Sequence, residues 1–532
     1  MSSDDEDVKT AIALSLAESQ NSAGESSKPK SVGSMLGLDR KAMEEERLAR
    51  LASRKRTISP PPLRGPSKLA RVEPSGSRGL ATAPTRTSEI SHSRSEKSNS
   101  GLAYPDGVVK KTWAYGHSRN GQDVKIEEVL EPSTLRTAVL SSFQWDVEWV
   151  LSKLRTPPSG GSTKCVFVMH AKEDALRAQM LRETEHQRSF LRLCFPHMRG
   201  QVHCMHSKLM LLFHPNKLRI AVPTANLLDF DWGETGVMEN SVFIIDLPRR
   251  GENESKLAPT EFQKELFYFL QKQEVPEDVR QGVSNFNFSA TKNMAFVHTV
   301  GGSNYRDSGA RTGYPGLCRA VRHLGLKTSD LQIDFAASSI GSLKDPYLRA
   351  LHAGARGEDV FVTPATDDSI PIRERVRIYF PTHETVKAST AGGAGSLCIS
   401  RKWWEDISFP RAAFRDYVST RTGLLSHNKI LYARGTRPGK DTDATEHVAW
   451  AYVGSGNMSE SAWGKVVFDK KDKCWKVNCR NWECGVLLPV PANRLKGGAP
   501  DLKVFDHLVP PPFVYPGPEY GSRHPWYFME MR

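Results

Sequence analysis

Long apolar runs are missing. Nothing in the 532 residues approaches the ~20 consecutive apolar positions that a helical membrane span needs, which excludes an integral membrane protein of that kind. Cysteine is sparse: eight are scattered along a large chain, a pattern of reduced intracellular thiols rather than of a disulfide-stapled secreted domain. The N-terminus lacks the apolar stretch of a secretory signal and opens instead on Asp4, Asp5, Glu6 and Asp7. Acidic residues are in deficit, 60 against 73 Lys and Arg, for a net charge of +13. That excess favours a polyanionic partner, nucleic acid or an anionic membrane surface, without choosing between them.

Aromatics are scarce over residues 21–103, where Ser, Pro, Gly, Lys and Arg dominate. Such a stretch cannot bury enough apolar surface to offset its ordering entropy, so a disordered basic linker is expected. One charged patch, Asp39 to Arg56, reads as a solvated helix. Ahead of the linker, residues 1–20 form a unit of their own. Val8, Ala11, Ile12, Ser15 and Leu16 fall on one face of a short helix whose N-terminus is acidic.

From Tyr104 onward, aromatic and β-branched content rises. Short apolar runs (Cys165–Met169, Leu209–Phe213, Leu218–Val222, Val242–Ile245) are separated by stretches that read as helices (Thr134–Leu154, Thr260–Gln273). The alternation resumes with Leu331–Phe335, Arg375–Ile378, Ile430–Tyr432, Val448–Val453 and Gly485–Leu488. Interleaved strands and helices predict an α/β architecture. A Gly-, Ser- and Arg-rich run, Thr299–Gly313, is expected to join two domains, 104–306 and 307–532, and Pro510–Pro518 to run extended over the surface.

One pattern occurs twice. His206-Ser207-Lys208 opens an apolar strand, a second strand follows, and a small-residue turn carries Asn226. His427-Asn428-Lys429 repeats the order, ending on Asn457. Strand residues two apart share a face, so each half offers an imidazole, an ammonium and an amide together. Two halves brought face to face by a pseudo-twofold axis would hold two His, two Lys and two Asn around one cavity. Lysines and amides can bind the non-bridging oxygens of a phosphodiester. Two imidazoles on opposite sides of phosphorus can attack and protonate in line. A lone His-x-Lys is commonplace; two copies in matching context are what predicts an active site.

These residues resemble the phospholipase D superfamily and, within it, the tyrosyl-DNA phosphodiesterase family. The superfamily's Asp several residues after the Lys is absent from both Leu209-Met210-Leu211-Leu212-Phe213 and Ile430-Leu431-Tyr432-Ala433-Arg434, as in that branch. Further similar strings are Ala225-Asn226-Leu227 followed by Asp231-Trp232, Ser338-Ser339-Ile340-Gly341-Ser342-Leu343, Ala462-Trp463-Gly464, Trp482-Glu483-Cys484-Gly485-Val486, and Glu519-Tyr520-Gly521-Ser522. The resemblance covers residues 104–532.

It implies two α/β/α sandwich domains sharing one metal-independent site, with no cofactor. The substrate it implies is DNA whose 3′ phosphate is esterified to tyrosine, the remnant of stalled topoisomerase I. His206 would be the nucleophile and His427 the general acid and base. Lys208, Lys429, Asn226 and Asn457 would bind phosphate. Glu483 would orient a histidine, His206, and Ser338, Ser339 and Ser342 would contact the DNA backbone. The family's Gln after the first Asn has no clear match in Gly236-Val237-Met238-Glu239-Asn240, where Glu239 is the nearest candidate to orient His427. A monomer acting in the nucleus on 3′-blocked DNA, leaving a 3′ phosphate, is the implied whole.

The N-terminal segment resembles a ubiquitin-interacting motif, which implies ubiquitin or a ubiquitylated protein as partner, bound through Val8, Ala11, Ile12, Ser15 and Leu16. Arg54-Lys55-Arg56 fits a nuclear import signal. Cys474, Cys479 and Cys484 do not match zinc spacing. Trp403 and Trp404, beside Arg401 and Lys402, could stack on DNA or pack in the core. Two other functions compete with the phosphotyrosyl activity: a lipid-hydrolysing phospholipase D, disfavoured by the missing Asp residues and the basic arm, and a DNA-binding scaffold with a decayed site, disfavoured by intact His, Lys and Asn in both halves.

Overall fold

The computed structural model describes residues 101–251, 258–361, 370–393, 396–439, 444–495 and 501–528. The helix expected over residues 1–20 with its expected ubiquitin contacts Val8, Ala11, Ile12, Ser15 and Leu16, the expected linker up to residue 100, the charged patch Asp39 to Arg56 and Arg54–Arg56 lie outside them.

Two large mixed sheets organise the chain. The first runs, edge to edge, Asp123–Val124, Val108–Thr112, Ser241–Pro248, Lys217–Pro223, Leu209–Phe213, Thr137–Ser141, Lys164–Val168 and Leu191–Cys194. The second runs Ala295–Thr299, Asn481–Pro489, Thr445–Gly454, Ile430–Pro438, Asp330–Ala336, Val376–Phe380 and Phe414–Asp416. From Val108–Thr112 in one and Ala295–Thr299 in the other, strand order and direction match step for step: antiparallel through four pairings counting from that strand, then parallel twice. The internal repeat seen in the sequence is thus a repeat of whole sheets.

Period-two alternation sorts the central strands' side chains between layers. Leu218, Ile220 and Val222 pack with Ile430, Tyr432, Ala449, Ala451 and Val486 in one cluster that draws on both sheets. Ala221 and Leu212 turn to a second cluster with Trp145, Trp149 and Phe167. Leu431, Ala433 and Phe335 turn to a third with Leu317, Leu348 and Leu351 of helices Gly313–His323 and Asp345–Arg356. Strands buried on both faces need continuous apolar runs, which is why Lys217–Pro223 and Asn481–Pro489 are so free of exposed positions.

Three expectations change. The stretch Thr134–Leu154 is not one helix. Thr137–Ser141 is a strand between Leu209–Phe213 and Lys164–Val168, and a short helix, Val147–Ser152, starts only after Asp146 caps the Trp149 N–H. Its β-branched and apolar run fills a central sheet position, and that tertiary demand overrides the helical spacing. The run Thr299–Gly313 is not merely a join. It contains the strand Gly302–Tyr305, which pairs with Cys474–Cys479 in a three-stranded sheet completed by Lys465–Asp469. By strand order the second repeat opens at Ala295, ahead of the expected division at 306. The helix expected at Thr260–Gln273 forms as Glu261–Lys272, with Thr260 Oγ1 accepting from Gln263 N.

Candidate active site

The two His-x-Lys segments lie just before their strands, each between a two-residue strand and a long one. Cys204–Met205 precedes His206 and pairs in parallel with Asn481–Trp482 of the second repeat. Leu425–Ser426 precedes His427 and pairs in parallel with Met238–Glu239 of the first. The exchange is reciprocal: His206 N donates to Trp482 O and His427 N to Glu239 O, both at 3.0 Å. Each histidine is therefore fixed by the opposite repeat. Both rings line one cleft of about 160 Å³ together with Asn226 and Asn457.

The supporting contacts are doubled as well. Lys208 Nζ donates to His206 O (2.9 Å) and Lys429 Nζ to His427 O (2.5 Å). Trp232 Nε1 donates to Asn226 O (2.9 Å) and Trp463 Nε1 to Asn457 O (3.0 Å). Asn226 Oδ1 accepts from Ser142 Oγ (3.4 Å) and Gln144 N (3.3 Å); Asn457 Oδ1 accepts from Ser338 Oγ (3.4 Å) and Ser339 N (3.1 Å). With each carboxamide oxygen held by donors, each NH₂ is the donor end on the cleft side; that of Asn226 donates to Gln144 Oε1 at 3.3 Å, itself a cleft residue, and keeps its second N–H for a ligand. Ser338 and Ser339 stand on the cleft wall, whereas Ser342, half-buried, is not part of it. Trp403 lines the cleft, and Trp404 packs against Phe409, Phe414 and Tyr520 in the core.

The histidines take carboxylate partners. His206 Nδ1 is 2.8 Å from Glu483 Oε2, which Ser455 Oγ also reaches at 2.5 Å. His427 Nδ1 is 3.1 Å from Asp231 Oδ2. Glu239 does not orient His427. Its carboxylate accepts from Ser419 Oγ (2.7 Å), Tyr417 OH (3.1 Å) and Arg421 Nε (2.9 Å), so only its backbone carbonyl serves the histidine. Matched contacts identify the counterpart of Glu483. Cys484 N donates to Ser455 Oγ and Ser241 N to Thr224 Oγ1, both at 3.0 Å. Ser455 Oγ donates to Glu483, and Thr224 Oγ1 to Asn240 Oδ1 (2.7 Å). Asn240 thus stands where Glu483 stands. Its carboxamide donates to Asp231 O at 2.9 Å, and Asp231 is the group in hydrogen-bond contact with the ring. The sequence offers Asp231 only as part of the string Asp231-Trp232, five residues after Asn226, whose N–H it accepts at 2.6 Å, and that alone assigns it no role.

A carboxylate can only accept, so each Nδ1 carries the proton and each Nε2 is the atom left for a ligand. Burial pushes His206 down to about 4, opposed by Glu483 and aided by Lys208 and Lys429. Burial brings His427 to about 4 as well, against the pull of Asp231. For Asp231, burial would raise the carboxyl, yet His427, Lys429 and the Asn226 N–H hold it below the usual range. Lys208 is lowered chiefly by burial. Lys429 is lowered well below an ordinary lysine by burial and by Lys208 across the site. Among the described residues the ammonium groups donate to backbone carbonyls, His206 O for one and Thr224 O and His427 O for the other, and both lysines are fully buried. A site with two facing buried cations, two neutral rings and two aimed amides is chemically suited to an anion with a tetrahedral centre. Among the described residues, no group of three or more His, Cys, Asp or Glu is arranged to hold a metal ion.

Comparison with known proteins gives the same direction. The chain is 24% identical over 405 residues to tyrosyl-DNA phosphodiesterase 1 of Arabidopsis thaliana, covering 70% of this chain and 60% of that one. It is 20% identical over 415 residues to tyrosyl-DNA phosphodiesterase 1 of Saccharomyces cerevisiae, covering 68% and 71%. A probable tyrosyl-DNA phosphodiesterase of Caenorhabditis elegans is 24% identical over 307 residues, 54% of this chain and 62% of that protein. The aligned region therefore spans less than two thirds of the plant and nematode relatives. The fold matches the crystal structure of the yeast tyrosyl-DNA phosphodiesterase with a TM-score of 0.56 at 16% identity, over 79% of this chain and 99% of that one. A family model described as tyrosyl-DNA phosphodiesterase matches residues 108–521, and the chain belongs to that family.

Proposed function

We propose that the protein hydrolyses the phosphodiester between the 3′ end of DNA and a tyrosine, as left by a stalled topoisomerase I, and that it does so through a phosphohistidine at His206. The observation that supports this most is the pair of rings, each with a carboxylate on Nδ1 and each followed two residues on by a fully buried lysine, that line one cleft with Asn226 and Asn457. Nε2 of His206 attacks phosphorus, the P–N bond forms, and the P–O bond to the tyrosine breaks. Nε2 of His427, protonated, gives its proton to the departing phenolate. His427 then takes a proton from water, the water oxygen bonds to phosphorus, the P–N bond breaks, and DNA leaves with a 3′ phosphate. Lys208, Lys429, Asn226 and Asn457 hold the non-bridging oxygens throughout.

Burial, which lowers both rings to about 4, suits His206 as a nucleophile but not His427 as an acid. A bound phosphate monoanion between the rings favours the protonated form of His427, with Asp231 as its counter-charge. Activity without a divalent cation follows, because the two ammonium groups supply the charge compensation. Other 3′-blocking groups with a good leaving oxygen fit the same steps. The experiment is direct: incubation with a 3′-phosphotyrosyl oligonucleotide in EDTA should give a 3′-phosphate end and free tyrosine, and no product would reject the activity.

Residues 1–20, the basic linker and Arg54–Arg56 extend the proposal to ubiquitin recognition through Val8, Ala11, Ile12, Ser15 and Leu16, and to work in the nucleus as a monomer. Loss of ubiquitin pull-down in Ala11→Gln, with catalysis retained, would support the first; unchanged pull-down would remove it.

A further inference from the structure

We infer that the small three-stranded sheet beside the cleft is a landing platform for the single DNA strand that leads to the scissile phosphate. The inference rests on the DNA substrate proposed above. The sheet's hairpin, Lys465–Asp469 and Cys474–Cys479, leaves the body directly after the cleft residues Ser459 and Ser461 and returns directly before the cleft residue Asn481. Its base is fixed: Val477 and Cys479 are buried, and Val466 N donates to Tyr314 OH at 2.9 Å. Its outer end is not covered. Phe468 and Trp475, directly paired across the strands, meet edge to face with centroids 5.3 Å apart and are 49% and 38% exposed.

Register explains the change along one face. Val466 opposite Val477 and Phe468 opposite Trp475 point to the same side, inward at the base and into solvent at the tip. Exposed paired aromatics are unusual for a surface with no partner. The partner's chemistry is given by charge. Residues 465–480 carry Lys465, Lys470, Lys471, Lys473, Lys476 and Arg480 against only Asp469 and Asp472. Lys476 pairs with Asp469 and Lys465 with Glu460, which leaves the exposed Lys470, Lys471 and Lys473 at the tip that follows Phe468 and precedes Trp475. Aromatic faces next to lysines fit a polyanion with stackable planes, which is what an unpaired nucleic-acid strand offers. From Asn481 back to Trp475 is about 20 Å of extended chain, so the strand reaches the aromatics several nucleotides from the reacting phosphate.

The test compares a 3′-phosphotyrosyl dinucleotide, too short to reach the tip, with a long single-stranded 3′-phosphotyrosyl oligonucleotide. In Phe468→Ala/Trp475→Ala the ratio of kcat/KM, long over short, should fall about tenfold or more. In parallel, anisotropy with an unmodified single strand should show that Lys470→Ala/Lys471→Ala/Lys473→Ala lowers the salt slope of binding by about 2. An unchanged ratio together with an unchanged slope overturns the platform. So does loss of a concentration-dependent dimer in place of either effect, which would mark the patch as a contact between copies of this chain. Hairpin-dependent oligonucleotide binding without turnover of either ester would reject the phosphotyrosyl activity and leave the platform standing.

Discussion

Asp231 stands 3.1 Å from Nδ1 of His427, and the residue that holds the matching place of Glu483 in the other repeat, Asn240, donates to Asp231 rather than to the ring. Both histidines therefore work against a carboxylate, but the carboxylates come from different places: Glu483 from a sheet strand, Asp231 from the turn after Asn226. Asp231 is a positioning residue. Asp231→Asn should slow resolution of the covalent intermediate more than its formation, with kcat down by about tenfold or more. Rapid-quench gels would show the adduct accumulating, and the acidic limb of the kcat profile, set by His427 as base in the resolution step, should move to lower pH as His427 loses its counter-charge. Equal slowing of both steps, with no change in the pH profile, would assign Asp231 a structural role only.

Lys429 should trade stability against activity. A fully buried ammonium held by carbonyl groups is costly to desolvate, and its pKa is driven well down by burial. Lys429→Met keeps the stem and removes the charge. The variant should gain stability on the order of 1 kcal/mol and lose roughly 10²–10³ in kcat, as for one anion-stabilising donor. A melting temperature that falls, or activity that survives, would contradict the assignment.

Acid should destabilise the protein through the site itself. In the unfolded chain His206 and His427 titrate near an ordinary ~6.5; in the fold each is pushed to about 4, chiefly by burial. Between those values the unfolded state binds more protons than the native one, so stability falls as pH drops from about 6.5 towards 4 and is insensitive to these rings above that window. His206→Asn/His427→Asn should lose less stability than wild type over the same range. Because His170, His214 and His352 are also lowered to about 4 by burial, the comparison is the difference between the two denaturation curves at each pH. Parallel curves would contradict neutral buried rings.

Binding of the product phosphate should take up protons. An anion between two depressed imidazoles raises their affinity for a proton, so an oligonucleotide with a 3′ phosphate, titrated near pH 6 in buffers of different ionisation heat, should bind with net uptake approaching one proton. Zero uptake would mean that His427 does not become the acid in the anion-bound state.

Much of the site is legible in the chain because its repeat is local. His206 with Lys208 and His427 with Lys429 sit two residues apart, immediately ahead of the strands Leu209–Phe213 and Ile430–Pro438, and each Asn follows the next strand. The carboxylates are harder. Glu483 is 277 residues from the ring that it meets, and only the resemblance supplies that pairing. Glu239 looks like the orienting group for His427 because of where it falls in the chain. The parallel pairing of Leu425–Ser426 with Met238–Glu239 gives the histidine the Glu239 carbonyl and turns its carboxylate to Arg421. The strand Thr137–Ser141 is misread as helix because a central strand buried on both faces has no alternating pattern to betray it. The second repeat's start at Ala295 is equally hidden: its first strand pairs with one almost two hundred residues later.

The central claim is that one particular nitrogen carries the phosphoryl group. His427→Asn, mixed with a 3′-phosphotyrosyl oligonucleotide, quenched without acid, digested and mapped by mass spectrometry, should show the nucleotide adduct on the peptide containing His206, and His206→Ala should show none and release no tyrosine. An adduct elsewhere, or full tyrosine release by His206→Ala, would contradict the account.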